Sequence, residues 1–233
     1  MYCCIIIKKQ QAMKYAKLSL LIVIGTSLFF LRNIKPQEAK ITTPEQNNEE
    51  ITTSDTKPTI NLFSKAKQAK IFAKENGLNT NLCILIDMSI HSGKNRLFIY
   101  DFKKDSIMDH GLCAHGCCDN EWSADSTKTN PYFSNIPESH CSSIGKYKIG
   151  KRGYSNWGIN INYRLHGLES TNNNAYSRAI VLHSWDMISD NEIHPTGSPE
   201  GWGCPAVSNK FMRKLDSLIK DEQESILLWI YND

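Results

Sequence analysis

The sequence predicts a mainly β, sandwich- or barrel-like domain with few helices, preceded by an N-terminal membrane segment. Three observations predict it. Short apolar segments punctuated by turn residues recur from Leu82 to Tyr231; only two stretches have helical periodicity; and strands and helices do not alternate as βαβ units would. At 233 residues, with 40% hydrophobic and 22% charged side chains, the chain has enough apolar content for a packed core. There is no internal repeat.

Residues 18–31 carry no charge, and Lys8, Lys9, Lys14 and Lys17 precede them. A cationic flank before an apolar run reads as an export signal or signal-anchor, with a buried core helix as the plain alternative. Such a run spans about 21 Å as a helix, short of the ~30 Å hydrocarbon layer. Tyr15 and Ala16 extend it if Lys14, Lys17 and Arg32 snorkel. The lysines predict the N-terminus inside and the rest exported, so the expected location is periplasmic or otherwise extracytoplasmic, anchored to the inner membrane. From Asn33 to Thr59 the chain is polar and lacks aromatic residues, which predicts a flexible tether. The resulting boundaries are a cytoplasmic tip and membrane segment over 1–32, a linker over 33–60 and one domain over 61–233.

Charge follows the same division. The formal net charge is +3, but residues 1–34 hold five cations and no acid, leaving 22 cations against 24 acids, or −2, beyond them. No basic stripe exists there, so nucleic acid is not an expected partner.

Asn61–Asn76 has Leu62, Phe63, Ala66, Ala69, Phe72 and Ala73 at helical spacing, with Gly77 as the stop. Leu82–Ile90 and Arg96–Phe102 read as a hairpin across Ser92–Asn95. Further strands are expected at Gly145–Ile149, Trp157–Tyr163, Arg178–Ser184 and Ile226–Tyr231. Asn209–Lys220 reads as an amphipathic helix packing Phe211, Met212, Leu215, Leu218 and Ile219 into the core.

The chemistry converges on Cys204, flanked by Gly201, Gly203 and Pro205, and on His183, at the end of an apolar strand. A thiol and an imidazole brought together make an activated nucleophile. On residues alone, both read equally as core packing, and the cysteine also as half a disulfide. His110, His115 and His140 lie near Cys113, Cys117, Cys118 and Cys141, which leaves disulfides, free thiols or zinc. No Cys-x-x-Cys pair is present, so no metal is expected, and export favours oxidised cysteines. At least one disulfide is expected among those four, with Cys204 reduced and Cys83 a buried free thiol. Trp122, Trp157, Trp185 and Trp229 read as core or cleft wall.

Gly203-Cys204-Pro205-Ala206-Val207, with His183-Ser184 upstream, resembles the catalytic motif of the murein L,D-transpeptidase family, in its Gly-Cys-Pro-Ala branch. His110-Gly111, Phe133-Ser134-Asn135, Ser142-Ser143-Ile144-Gly145, Gly167-Leu168-Glu169 and the strand Leu227–Tyr231 follow the branch's order. The resemblance spans Leu82 to Tyr231. It implies that Cys204 attacks a stem-peptide carbonyl of peptidoglycan and that His183 takes the thiol proton. It further implies that Ser184 or its carbonyl orients His183 and that N–H groups around Gly203 hold the oxyanion. His110 matches a family position near the cleft and reads equally as a substrate contact or as structural packing, and Trp202 is an implied substrate contact. Because Pro205 and Ala206 stand where many members carry a polar or cationic residue, Arg178 and Arg164 are the candidates to hold the substrate carboxylate. No cofactor is implied. The chain departs from the widespread Ser/Thr-His-Gly-Cys motif at Gly201 and Trp202. The expected activity is transpeptidation through a thioester; the alternatives are a carboxypeptidase or endopeptidase using water, or a non-catalytic wall-binding module.

Overall fold

In the computed structural model, residues 56–233 are described; the predicted membrane segment and the linker up to residue 55 lie outside the described residues. Helix α1 spans Thr56–Glu75. It starts ahead of the expected domain boundary, so residues 56–60, predicted as linker, are helical. Pro58 sits in the first turn, where a missing N–H leaves no hydrogen bond unmade. The stripe Leu62, Ala66, Ala69 and Ala73 is buried, and its alanines let the helix axis approach the sheet. Gly77 stops the helix as expected, at φ +63°. Leu78 N–H then reaches back to the Ala73 carbonyl at 2.9 Å, the closing bond of a glycine C-cap.

The strands are β1 (Leu82–Asp87), β2 (Leu97–Asp101), β3 (Ser106–Gly111), β4 (Gly145–Tyr154), β5 (Ile161–Gly167), β6 (Val181–Ser184), β7 (Ala206–Val207) and β8 (Leu227–Tyr231). They form one eight-stranded sheet in the order β3-β2-β1-β8-β4-β5-β6-β7. The β1–β8 and β6–β7 pairs are parallel. Beyond β3 the chain returns to the opposite edge, where Ala114 bridges Ala206 and donates its N–H to that carbonyl at 2.8 Å. The sheet is therefore a nearly closed barrel rather than a two-sheet sandwich, with that return covering part of the β7 edge. Among the described residues there are two helices, and neither is long and apolar enough to cross a membrane.

Strands β1 and β8 are buried at every position, as a strand covered on both faces must be. Ile84 and Ile86 point into the main core, whereas Cys83 and Leu85 point to α1. Helix α2 (Asn209–Ile219) plugs the interior with Phe211, Met212, Leu215 and Ile219. Its N-cap is Ser208, whose Oγ accepts the Phe211 N–H at 3.1 Å.

Two expectations shift. Trp157–Tyr163 is not one strand, because Gly158 and Asn160 adopt φ of +56° and +63° and turn the chain, so β5 starts at Ile161. Strand β3 was not expected; it is a half-exposed edge without apolar alternation.

Candidate active site

Strand β6 carries His183, and Cys204 stands two residues before β7. Their parallel register sets His183 opposite Ala206. The Val181 N–H donates to Cys204 Sγ at 3.4 Å. Side chains two apart on a strand share a face, so Val181 and His183 project on one side of β6 while Leu182 points into the core. Cys204 is half-buried against the core cluster.

The ring of His183 is oriented by its neighbour. Nδ1 lies 2.9 Å from the Ser184 carbonyl oxygen, which can only accept, so Nδ1 carries the proton and Nε2 presents the lone pair. Burial pushes the imidazole below its ordinary pKa, with the Ser184 carbonyl opposing. Burial likewise pushes the Cys204 thiol up, opposed by the Val181 N–H and by the charges of Arg178 and Arg164. Both shifts favour a resting pair of neutral thiol and neutral imidazole.

The loop before Cys204 is fixed by three features. Gly203 has φ +92°, and a Cβ there would sit 2.4 Å from the Cys141 carbonyl oxygen, so glycine is required. Ser142 Oγ donates to the Gly203 carbonyl at 3.1 Å and accepts from the Gly116 N–H at 3.1 Å. A disulfide joins Cys118 to Cys141, tying the two segments that flank Gly203. Cys83, Cys113, Cys117 and Cys204 are free thiols. Among the described residues, the N–H groups of Gly203 and Cys204 donate to no protein acceptor.

The other site residues expected from the sequence divide. Arg178 lies close enough to act on the Cys204 thiol, but its guanidinium is already engaged. It donates to the Ser134 carbonyl (2.9 Å), Ser143 Oγ (2.7 Å), Ser139 Oγ (3.3 Å) and the Cys141 carbonyl (2.7 Å). It braces the 134–143 loop rather than offering a free clamp. Arg164 lies over the Tyr176 ring at 5.0 Å. Trp202 is 61% exposed and stacks on His140 with ring centres 5.1 Å apart. His110 is not brought to the cysteine. It pairs with Phe98, whose side chain packs toward α1, on the sheet face opposite the main core.

Sequence reasoning missed a buried polar chain behind the loop. Arg96 is fully buried; its Nη2 donates to His115 Nδ1 at 2.7 Å, so Nε2 carries the ring proton. Nε2 lies 2.8 Å from Thr127 Oγ1, which donates to Glu200 Oε1 at 2.6 Å. Glu200 is therefore anchored four residues before Cys204. His115, Asp125 and Glu200 bring ligand-type atoms within 4.8 Å of one another, but Nε2 is committed as a donor and Arg96 already supplies the positive charge. The donor set does not fit a cation. The one hint in the sequence was an arginine at the start of an apolar strand. A separate cleft, lined by Lys148, Arg152, Tyr163, His166 and Lys220, lies away from Cys204.

A family model, YkuD_2, the L,D-transpeptidase catalytic domain, matches residues 54–231, and the chain belongs to that family of cysteine-dependent peptidoglycan-modifying enzymes. Among solved structures, the chain is similar to the helical cell shape determining protein Pgp2 from Campylobacter jejuni. The identity is 13% and the TM-score 0.41, over 65% of this chain and 48% of that one. The K307A mutant of Pgp2 gives 11% and 0.41, over 66% and 48%. An L,D-transpeptidase (residues 123–326) from Xylanimonas cellulosilytica gives 15% and 0.35, over 68% and 67%. The chain spans about half the length of the Pgp2 structures. No curated protein matches it significantly.

Proposed function

We propose that the protein is a peptidoglycan L,D-transpeptidase that forms a thioester on Cys204. His183 Nε2 accepts the thiol proton as Sγ attacks a stem-peptide carbonyl between an L- and a D-centre. Oxygen takes the negative charge, and the Gly203 and Cys204 N–H groups stabilise it. Collapse breaks the C–N bond, and the leaving amine takes the proton back from His183. An acceptor amine then attacks the thioester, loses its proton to Nε2 and regenerates the thiol; with water as acceptor the result is hydrolysis.

The observation that carries this reading is the juxtaposition at β6 and β7. The sulfur lies against the strand that presents an imidazole whose Nδ1 is committed to a carbonyl. Neutral resting partners support a base-assisted attack rather than a standing thiolate–imidazolium pair. Arg178 assists electrostatically and holds the 134–143 loop. The activity is extracytoplasmic, with residues 1–32 as the inner-membrane tether.

Incubation with a carbapenem should add the drug's mass to the protein, and Cys204→Ala should abolish the adduct. Muropeptides offered with and without an amine acceptor then separate transfer from hydrolysis: cross-linked product marks transfer, and shortened stems alone mark hydrolysis. Undiminished muropeptide turnover by Cys204→Ala would place the nucleophile elsewhere.

A further inference from the structure

Around the mouth of the site, aromatic rings from five separate segments touch in one continuous array. Trp185, buried, forms its floor. Trp122 stacks on it with centroids 5.5 Å apart and planes 23° apart. Trp157 meets Trp185 edge-on at 6.3 Å and Trp122 at 6.2 Å. Trp202 adjoins Trp122 at 6.0 Å and is itself covered by His140. The array is joined to the catalytic pair by sequence: Trp185 is two residues after His183, and Trp202 two before Cys204.

These rings are not core. Trp122, Trp157 and Trp202 are 42%, 47% and 61% exposed, a large apolar area to leave in water. They are also held in place. The Ser123 N–H donates to the Glu200 carbonyl at 3.0 Å, pinning the Trp122 loop. The Ile159 N–H donates to Ser184 Oγ at 3.0 Å, pinning the turn that carries Trp157. Such preorganisation lowers the ordering cost of binding.

The chemistry of the rim selects the ligand. Each of three indoles has an exposed polar neighbour in sequence: Glu121 before Trp122, Asn156 before Trp157 and Asp186 after Trp185. An apolar partner would bury Glu121 and Asn156 unpaired, at a cost, whereas Asp186 already accepts from the Asn209 amide at 2.7 Å. A pyranose ring suits both features, because its C–H face lies flat on an indole while its edge hydroxyls and amide reach polar side chains. We propose that this face is a saccharide-stacking subsite, holding an amino-sugar ring of the glycan strand whose stem peptide lies at Cys204. The subsite rests on the peptidoglycan reading for its place in the reaction but not for its existence.

The test uses the full chain in a sugar-free detergent, with 5-fluorotryptophan at its five tryptophans, titrated with an N-acetylglucosamine tetramer. The 19F resonances of Trp122, Trp157 and Trp202 should shift saturably, with a Kd on the order of 1 mM, while Trp229 in the core stays still. Trp122→Ala and, separately, Trp202→Ala should each weaken binding about tenfold or more. Absence of shifts, or equal shifts in both variants, overturns the proposal. So does a response of the same resonances to lipid vesicles or to protein concentration in place of sugar. Carbapenem acylation, measured in parallel, tests the nucleophile independently: acylation without sugar shifts sinks only the subsite, and shifts without acylation sink only the thioester reading.

Discussion

The Val181 N–H donates to Cys204 Sγ at 3.4 Å, so the cysteine proposed as nucleophile is held by the same strand that carries the histidine proposed as its base. This contact keeps the sulfur beside β6 whether or not it is ionised. It also stabilises negative charge on sulfur, offsetting part of the burial that raises the thiol.

The first prediction concerns pH. His183 must be neutral to accept a proton, and burial lowers its pKa. The second-order rate of carbapenem acylation should rise from acid with a midpoint below about 6.5 and then level off. Because the thiol is raised, no further rise should occur below pH ~8.5. A midpoint above the ordinary histidine value would instead indicate an imidazolium stabilised by thiolate. His183→Gln should reduce the plateau by about 10²–10⁴.

The two glycines before the nucleophile should respond oppositely. Gly203→Ala meets the Cys141 carbonyl and a left-handed φ; it should cost about 1–3 kcal/mol of stability and most of the acylation rate. At Gly201 an added Cβ finds only the His115 carbonyl oxygen, at 4.0 Å. Gly201→Ala should stay within about 0.5 kcal/mol of the parent. Paired urea midpoints and acylation rates check both.

Thiol mapping gives a third check. In unreduced, unfolded protein, a maleimide should label Cys83, Cys113, Cys117 and Cys204 but not Cys118 or Cys141. Removing the bridge with Cys118→Ser/Cys141→Ser releases a loop of sequence separation 23, for an expected loss of about 3 kcal/mol. Acylation should slow as well, since both bridged segments hold the loop at Gly203. A double variant as stable and as fast as the parent would remove the disulfide from any account of the site.

Glu200 accounts for the fourth. Its carboxyl, fully buried, is held below the ordinary range chiefly by the His115 and Thr127 hydrogen bonds, which outweigh its burial. A depressed carboxylate contributes stability that is present above the ordinary carboxylate pKa and is lost as pH falls through the folded one. Glu200→Ala strands Arg96 and His115 and should cost about 3–5 kcal/mol at neutral pH. The deficit relative to the parent should shrink in acid. A deficit that does not change with pH would mean the carboxylate is not the group being lost.

Local patterns in the sequence carried much of this architecture. The α2 face was legible because Phe211, Met212, Leu215 and Ile219 keep helical spacing, and β1 and β8 because continuous apolar runs mark strands covered on both sides. The motif around Cys204 and His183 was legible, and the fold sets Cys204 Sγ against the Val181 N–H of the strand that carries His183. What escaped was non-local. His115 and Glu200 lie 85 residues apart, a spacing no periodicity encodes. Strand β7 has only two residues, too few to show a pattern. Motif order suggested His110 as a substrate contact, but strand alternation decides which way a side chain points. Its cross-strand partner Phe98 faces α1. Arg178 was recognised as important for its charge, while the four hydrogen bonds that occupy it depend on loops whose paths only the fold defines.

The position of β8 has a consequence for how the chain comes to be active. The last strand in chain order lies between β1 and β4, with Cys83 opposite Leu227 and Gly145 opposite Ile230. Until it is laid down, β1–β3 and β4–β7 lack the strand that pairs them along the sheet, and the Ala114–Ala206 bridge joins their far edges instead of a ladder. Pairing across such a span is slow, because the loop must close before the contacts reward it. Completion of the barrel that carries Cys204 therefore waits on the C-terminal strand. A chain still being synthesised holds Cys204 without the completed barrel that carries it. The barrel around Cys204 is thus complete only once the whole domain has been made.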